Sequence, residues 1–217
     1  MDNMTLLVNE IFYSIQGESL HSGRPCVFVR LTGCNLRCSY CDTRYAYEDG
    51  VVLEIAEIIR RVAAYNCRLI EITGGEPLFQ TETPFLILGL LENGYEVLME
   101  TNGSLDISKV DPRCVKIVDI KCPSSHASEK NDLENLKRLN PKDQIKFVIG
   151  NRADYLYAKK TMALNRPDFP EDHILFSPIS GKMPPAYLAE WILKDNLNVR
   201  LHLQIQKIIW PDREKGV

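Results

Sequence analysis

The chain has 217 residues, of which 45% are hydrophobic and 25% charged, with a net charge of −3 at pH 7. This is the composition of a soluble globular protein with room for one sizeable core, and its charge gives no electrostatic case for nucleic acid or an anionic membrane surface as main partner. No apolar run approaches the roughly 20 residues of a bilayer span, the N-terminus lacks the basic-then-apolar order of a signal peptide, and seven scattered cysteines fit a reducing cytoplasm better than a secreted disulfide framework.

In chain order, β-branched runs predict strands at Val27–Leu31, Leu69–Thr73, Glu96–Glu100, Val115–Ile120, Ile145–Ile149, Ile174–Ser177 and Val199–Ile205. Helical periodicity predicts helices at Glu54–Ala64, Pro84–Glu92, Asp132–Leu139, Ala153–Leu164 and Pro185–Lys194. The alternation argues for βαβ units on a parallel sheet with right-handed connections. A complete eight-unit barrel takes about 250 residues, so the expected fold is α/β: a partial, incomplete TIM-like barrel of about six parallel strands. No repeat, low-complexity tract or linker interrupts the chain, and residues 1–217 are read as one domain. Gly33-Cys34, Gly74-Gly75-Glu76-Pro77, Thr101-Asn102-Gly103, Lys121-Cys122-Pro123-Ser124 and Ser177-Pro178 each follow a predicted strand. Active sites of parallel α/β proteins lie at those carboxyl ends, so these segments are expected to share one face.

The run Cys34-Asn35-Leu36-Arg37-Cys38-Ser39-Tyr40-Cys41 holds three cysteines spaced C-x3-C-x2-C. A structural zinc site and an ordinary cubane cluster each take four protein ligands, so three thiolates leave one metal corner open. A buried helical face would also suit the spacing, but Gly33 and Asn35 favour turns. Zinc completed by His21 or His126 is a second alternative, although neither stands at the usual short spacing. Cys26, Cys67 and Cys114 read as buried core thiols.

The spacing, with an aromatic residue before the last cysteine, resembles the radical S-adenosylmethionine (SAM) superfamily. That resemblance implies a [4Fe–4S] cluster on Cys34, Cys38 and Cys41, with SAM on the open iron. Gly74-Gly75-Glu76 resembles the superfamily's segment for the methionyl ammonium. Ile15-Gln16-Gly17-Glu18, Arg30, Asp42-Thr43, Glu71-Ile72-Thr73, Glu100-Thr101-Asn102-Gly103, Asp119–Ser125, Leu203–Lys207 and Trp210-Pro211 together resemble the 7-carboxy-7-deazaguanine synthase family over nearly the whole chain.

Members convert 6-carboxy-5,6,7,8-tetrahydropterin to 7-carboxy-7-deazaguanine with loss of ammonia, toward queuosine and related 7-deazapurines. The resemblance implies a Mg²⁺-dependent carbon–nitrogen lyase that uses SAM catalytically, forms a homodimer and takes electrons from a flavodoxin or ferredoxin. It implies hydrogen abstraction from C6 of the pterin by a deoxyadenosyl radical, followed by ring contraction. Substrate contacts are expected at Ile15, Gln16, Gly17, Arg30, Thr73 and Pro211, with Arg30 on the carboxylate. SAM contacts are expected at Gly75, Glu76, Cys122, Pro123, Ser124, Phe176, Ser177, Pro178 and Ile179, and a Mg²⁺ ligand at Thr43. The chain departs from many relatives at Gln206, where they carry a histidine, so no catalytic role is assigned there. Glu100 reads as a pocket carboxylate or a strand-end cap, and Lys146 as a solvated lysine. The competing readings are another radical SAM enzyme, such as a glycyl-radical-enzyme activase, and a non-catalytic iron–sulfur or zinc module.

Overall fold

The computed structural model describes residues 4–164 and 168–217. Nine strands among these residues form one sheet: β1 (Thr5–Ile15), β2 (Pro25–Leu31), β3 (Val51–Glu54), β4 (Leu69–Gly74), β5 (Glu96–Thr101), β6 (Val115–Ile120), β7 (Gln144–Ile149), β8 (Ile174–Pro178) and β9 (Arg200–Leu201). Their spatial order is β3-β1-β2-β4-β5-β6-β7-β8-β9. From β2 to β9 every pairing is parallel, whereas β1 runs antiparallel to β2 and β3. The expected partial barrel is present, and its sheet does not close.

Pairing register sets the two faces. On one side Val27, Val29, Ile70, Ile72, Val97 and Met99 pack beneath α1 (Ile55–Ala63) and α2 (Thr83–Glu92). Further along, Val118, Ile120, Ile145, Phe147, Ile149 and Phe176 pack beneath α4 (Arg152–Met162) and α5 (Pro185–Lys194), which follow the short α3 (Asn135–Arg138). The alternate residues face the barrel interior. Phe12, Phe28, Leu69, Leu98 and Ile117 form an apolar plug there, with the Phe12 and Phe28 rings stacked 4.9 Å apart. Beyond the plug the same face carries Arg30 beside Thr73, then Glu71, Glu100, and Asp119 beside Lys146. One strand face thus changes from apolar to charged along its length.

Three features differ from the sequence expectation. The strand predicted at Val199–Ile205 keeps only Arg200–Leu201, and the chain then turns into α6 (Ile205–Ile209). β9 has β8 alone as neighbour, and Ile205 N donates instead to Gly17 O at 3.1 Å. The helix predicted at Asp132–Leu139 shrinks to α3, since Glu134 N is capped by Asp132 and Pro141 follows closely. β1 and β3 do not show in the sequence pattern. β1 shifts register between Val8 and Glu10, and such a bulge interrupts the period-two alternation that marks a strand. Cys26 and Cys114 are buried as expected, while Cys67 is only half-buried and reaches Pro25 O. Among the described residues no helix is long and apolar enough to cross a membrane.

Phe147 is fully buried and meets Phe176 edge-on at 5.7 Å. Phe147→Ala should therefore destabilise the fold by about 3–5 kcal/mol, measured as a lower urea midpoint with an unchanged m-value.

Candidate active site

The segment between β2 and β3 opens at Gly33, whose φ of +96° lies in the region that favours glycine. Gly33 N donates to Ala46 O at 2.9 Å, and Gly33 O accepts from Glu76 N at 2.8 Å. A Cβ on Gly75 would lie 2.8 Å from Cys34 Cβ and closer still to the Gly33 carbonyl, so only glycine lets the two loops meet. On the other side, Ser39 donates through N to Ser125 O at 3.0 Å and through Oγ to Ser124 O at 2.6 Å. Arg37 folds back onto Cys34 O and Leu36 O, and its guanidinium lies 4.2 Å from the centroid of the Tyr47 ring. These ties hold Cys34, Cys38 and Cys41 half-buried, each as a free thiol.

Burial pushes the Cys34 thiol up, and the Leu36 N–H and Lys121 pull it back. Cys38 is likewise raised by burial and opposed by Lys121. Three thiols on an irregular loop, with N–H donors and an ammonium beside them, suit thiolate ligation of a cluster. Among the described residues no three His, Cys, Asp or Glu side chains, the three thiols included, already converge on a single-ion site, and His21 is engaged with Arg24 and Glu96.

Glu76 is fully buried. Its carboxylate accepts from Leu78 N at 3.0 Å, Thr101 Oγ1 at 2.8 Å and Asn102 N at 2.7 Å. It thereby fastens the end of β4 to the end of β5. Burial raises its pKa although these donors oppose the shift.

Beneath the loop lies the charged interior. Arg30 Nε donates to Glu10 Oε1 at 2.7 Å, and the guanidinium sits between the Phe12 and Tyr45 rings at 5.6 and 5.7 Å. Among the described residues its two Nη atoms form no hydrogen bond, so half of the fork is free. Lys121 pairs with Asp119 at 2.7 Å. Lys146 bridges Glu18 and Glu100, the latter at 2.7 Å. It is 5% exposed, which corrects the reading of a solvated lysine and assigns Glu100 to the interior rather than to a cap. Gln16 Nε2 donates to Glu71 Oε2, and Gln16 Oε1 accepts from Glu18 N at 3.0 Å.

The turn after β1 also spans the gap in the open sheet. Leu20 N donates to Gln144 Oε1 at 2.9 Å, while Gln204 and Gln206 donate to Glu18 Oε1 at 2.8 and 3.0 Å. Gly17 stands against Gln206, and an added Cβ would strike that side chain. Lys207 pairs with Asp42 at 2.5 Å, and Asp42 Oδ1 accepts from Thr43 Oγ1 at 3.0 Å, so the C-terminal segment is clasped to the cysteine loop.

The Radical SAM superfamily pattern matches residues 28–118. The chain is 46% identical to the 7-carboxy-7-deazaguanine synthase of Chlorobaculum tepidum, over 98% of this chain and 97% of that one. It is 42% identical to that of Koribacter versatilis, over 97% and 99%. The chain belongs to the 7-carboxy-7-deazaguanine synthase family. It is accordingly a radical SAM enzyme. In fold it is similar to the crystal structure of QueE from Escherichia coli, with a TM-score of 0.78 at 24% identity, covering 93% of this chain and 95% of that one.

Set against this family, the structure brings Gln16, Gly17, Arg30 and Thr73 to the interior, and Gly75 and Ser124 to the edges of the cysteine loop. Two other expected residues turn their side chains away from the loop. The Cys122 thiol lies in the helix-side core near Ile120 O and Asp154 O, and the Phe176 ring packs on Phe147 and Tyr155. Ser177 faces inward with Val148, Pro178 ends β8, and Ile179 packs against Gly150. Ile15 lines an outer recess with Tyr13, Pro25 and Trp210, while Pro123 and Pro211 are exposed. Glu10, Glu18 and Glu71 escaped the sequence reading as site residues. For Glu10 and Glu71 the available signal was an acidic residue on a strand that otherwise carries apolar ones.

Gly75→Ala should force the cysteine loop away from β4. The expected result is less than half the wild-type iron per chain after anaerobic reconstitution, with an unchanged far-ultraviolet circular dichroism spectrum.

Proposed function

We propose that the chain converts 6-carboxy-5,6,7,8-tetrahydropterin to 7-carboxy-7-deazaguanine and ammonia, acting as a single cytoplasmic radical SAM domain that works as a homodimer with a flavodoxin or ferredoxin donor. The observation that carries this reading is the pairing of the three-thiol loop with a half-free arginine fork in the chamber below it. Cys34, Cys38 and Cys41 would hold a [4Fe–4S] cluster, and the backbone around Gly75, Cys122–Ser124 and Phe176–Ile179 would hold SAM. When bound, this pair supplies the one-electron chemistry that removes a hydrogen atom from the substrate.

The protein's own part is to bind and orient. Glu10 fixes Arg30 through Nε, and the flanking rings hold the guanidinium plane, which leaves Nη1 and Nη2 for the two oxygens of the pterin carboxylate. Gln16, pinned at both ends of its carboxamide, suits the flat amide edge of a pterin. The apolar plug of Phe12, Phe28, Leu69 and Leu98 bounds the chamber and limits water. Thr43 would hold Mg²⁺ through its hydroxyl oxygen. The neighbouring Asp42 carboxylate and the hard oxygen donors of the substrate fit that ion. Mg²⁺ would act as a Lewis acid and template at the substrate carboxylate.

Anaerobically reconstituted enzyme should hold about four irons per chain, the content of a cubane. It should form the deazaguanine with SAM returned rather than consumed, and chelation of Mg²⁺ should slow turnover. Stoichiometric zinc, or absence of product with SAM and reductant present, would overturn the reading. Arg30→Ala should raise KM for the pterin about 10- to 100-fold, the worth of a charge-assisted contact, and leave the cluster spectrum intact.

A further inference from the structure

Glu71 is the carboxylate of the chamber without a cation of its own. It is 3% exposed, on the interior face of β4, and its hydrogen-bond partner is the Gln16 carboxamide. The titratable groups that act on it or feel it are Glu100 from β5, Glu18 from the turn after β1, Lys146 from β7 and the buried Cys26 thiol from β2, while Arg30 and Asp119 share the interior face and His202 stands by Glu18. Their charges are already committed. Arg30 is paired with Glu10, Lys121 with Asp119, and Lys146 with both Glu18 and Glu100. Among the described residues no Lys, Arg or His forms an ion pair with Glu71. Lys146 serves two carboxylates already, so a third negative charge would stand beside them uncompensated. A buried acid in that position sheds its charge by taking up a proton.

We propose that Glu71 is a positioning residue that works as the neutral carboxylic acid: its carbonyl oxygen accepts from Gln16 Nε2 and fixes that carboxamide for the substrate, and loss of its proton draws Lys146 away from Glu18. The Gln16 part of this rests on the deazaguanine-synthase reading; the protonation state of Glu71 does not. Ionised Glu71 would compete with Glu18 and Glu100 for Lys146 and pull apart the bridge that holds Glu18 against Gln204 and Gln206. Glu18 N backs the other end of the Gln16 amide, so that end would loosen while the Nε2 end is drawn harder onto ionised Glu71, and the carboxamide would leave its substrate-binding position.

Glu18, His202 and Lys146 move away from neutrality, whereas Glu100 shifts upward as Glu71 does. Burial would raise Glu18, but Lys146, His202 and Gln204 outweigh it and hold it well below the usual carboxylate range. Burial lowers His202 to about 4. Lys146 is raised because Glu100, Glu18 and Asp119 overcome the effect of burial. Glu100 is pushed up by burial, with Lys146 opposing. Glu71 itself is pushed up to about 8, by burial first and then by Glu100 and Glu18.

The test is an infrared titration of the cluster-loaded enzyme, with KM and kcat for the pterin followed over the same pH range. In the wild type a protonated-carboxyl C=O band should disappear with a midpoint near 8, and Glu71→Gln should lack it. Above that midpoint the wild-type KM should rise about tenfold per pH unit with kcat changing less, as for loss of one proton, and Glu71→Gln should flatten the profile. A merely structural role would instead lower kcat and iron content at all pH values. The proposal is overturned if the band titrates in the ordinary carboxylate range, if it persists in Glu71→Gln, or if that variant keeps the alkaline rise in KM. Gln16→Leu gives a second readout should Glu71→Gln fail to fold. Removing the amide donor should move the band's midpoint upward, and an unmoved midpoint counts against the assignment. A band that behaves as expected in an enzyme that never turns over the pterin would sink the deazaguanine reading alone.

Discussion

A sheet that does not close must join its two sides by some other means, and here the charged join is the contact of Lys146 with Glu18. β1 and β2 stand at one side of the chamber and β7 to β9 at the other, with no ladder between them. Lys146 reaches from β7 to the turn after β1, and Glu18 collects Gln204 and Gln206 from the segment beyond β9. Buried ion pairs of this kind are weak contributors as pairs, yet removal of one partner leaves a costly unpaired charge. The arrangement makes the wall and the chamber lining the same set of residues.

That identity explains the layering of the interior. An apolar plug fills one end, where no chemistry is required, and close packing there fixes the spacing of the strands. Towards the carboxyl ends the same face turns polar, where side chains must meet a ligand rather than one another. The cysteine loop lies over this end, held by Gly33, Gly75 and Ser39 to the neighbouring strand-end loops. Glu76 braces the β4 and β5 ends with its carboxylate, which accepts from Leu78 N, Thr101 Oγ1 and Asn102 N.

The parallel strands were legible because each is buried on both faces and reads as a continuous apolar run; Val115–Ile120 and its neighbours agree within about two residues. The cysteine loop was legible because its spacing is local. What escaped depends on partners distant in sequence. Lys146 resembles a solvated lysine on its strand, since a polar residue among apolar ones ordinarily points to water. In a curled sheet that direction is the chamber, and its partner Glu18 lies 128 residues away. The same holds for Arg30, whose fork is half taken by Glu10 across a strand that the sequence pattern did not display. β1 was hidden by its own bulge. The C-terminal strand failed because Gly17 O and Glu18, unknown to any local rule, draw that backbone into a turn.

The contacts that Gln204 and Gln206 make with Glu18 join residues 186 and 188 positions apart, nearly the two ends of the chain. The entropy lost in closing a loop grows with its length, and topologies rich in such distant contacts fold slowly. The segment that completes the wall is also translated after the cysteine loop and the strands that brace it. The chamber therefore stays open on one flank until Gln204 and Gln206 have been made and can reach Glu18. A metal cluster delivered to the nascent chain would meet formed ligands and an unfinished wall.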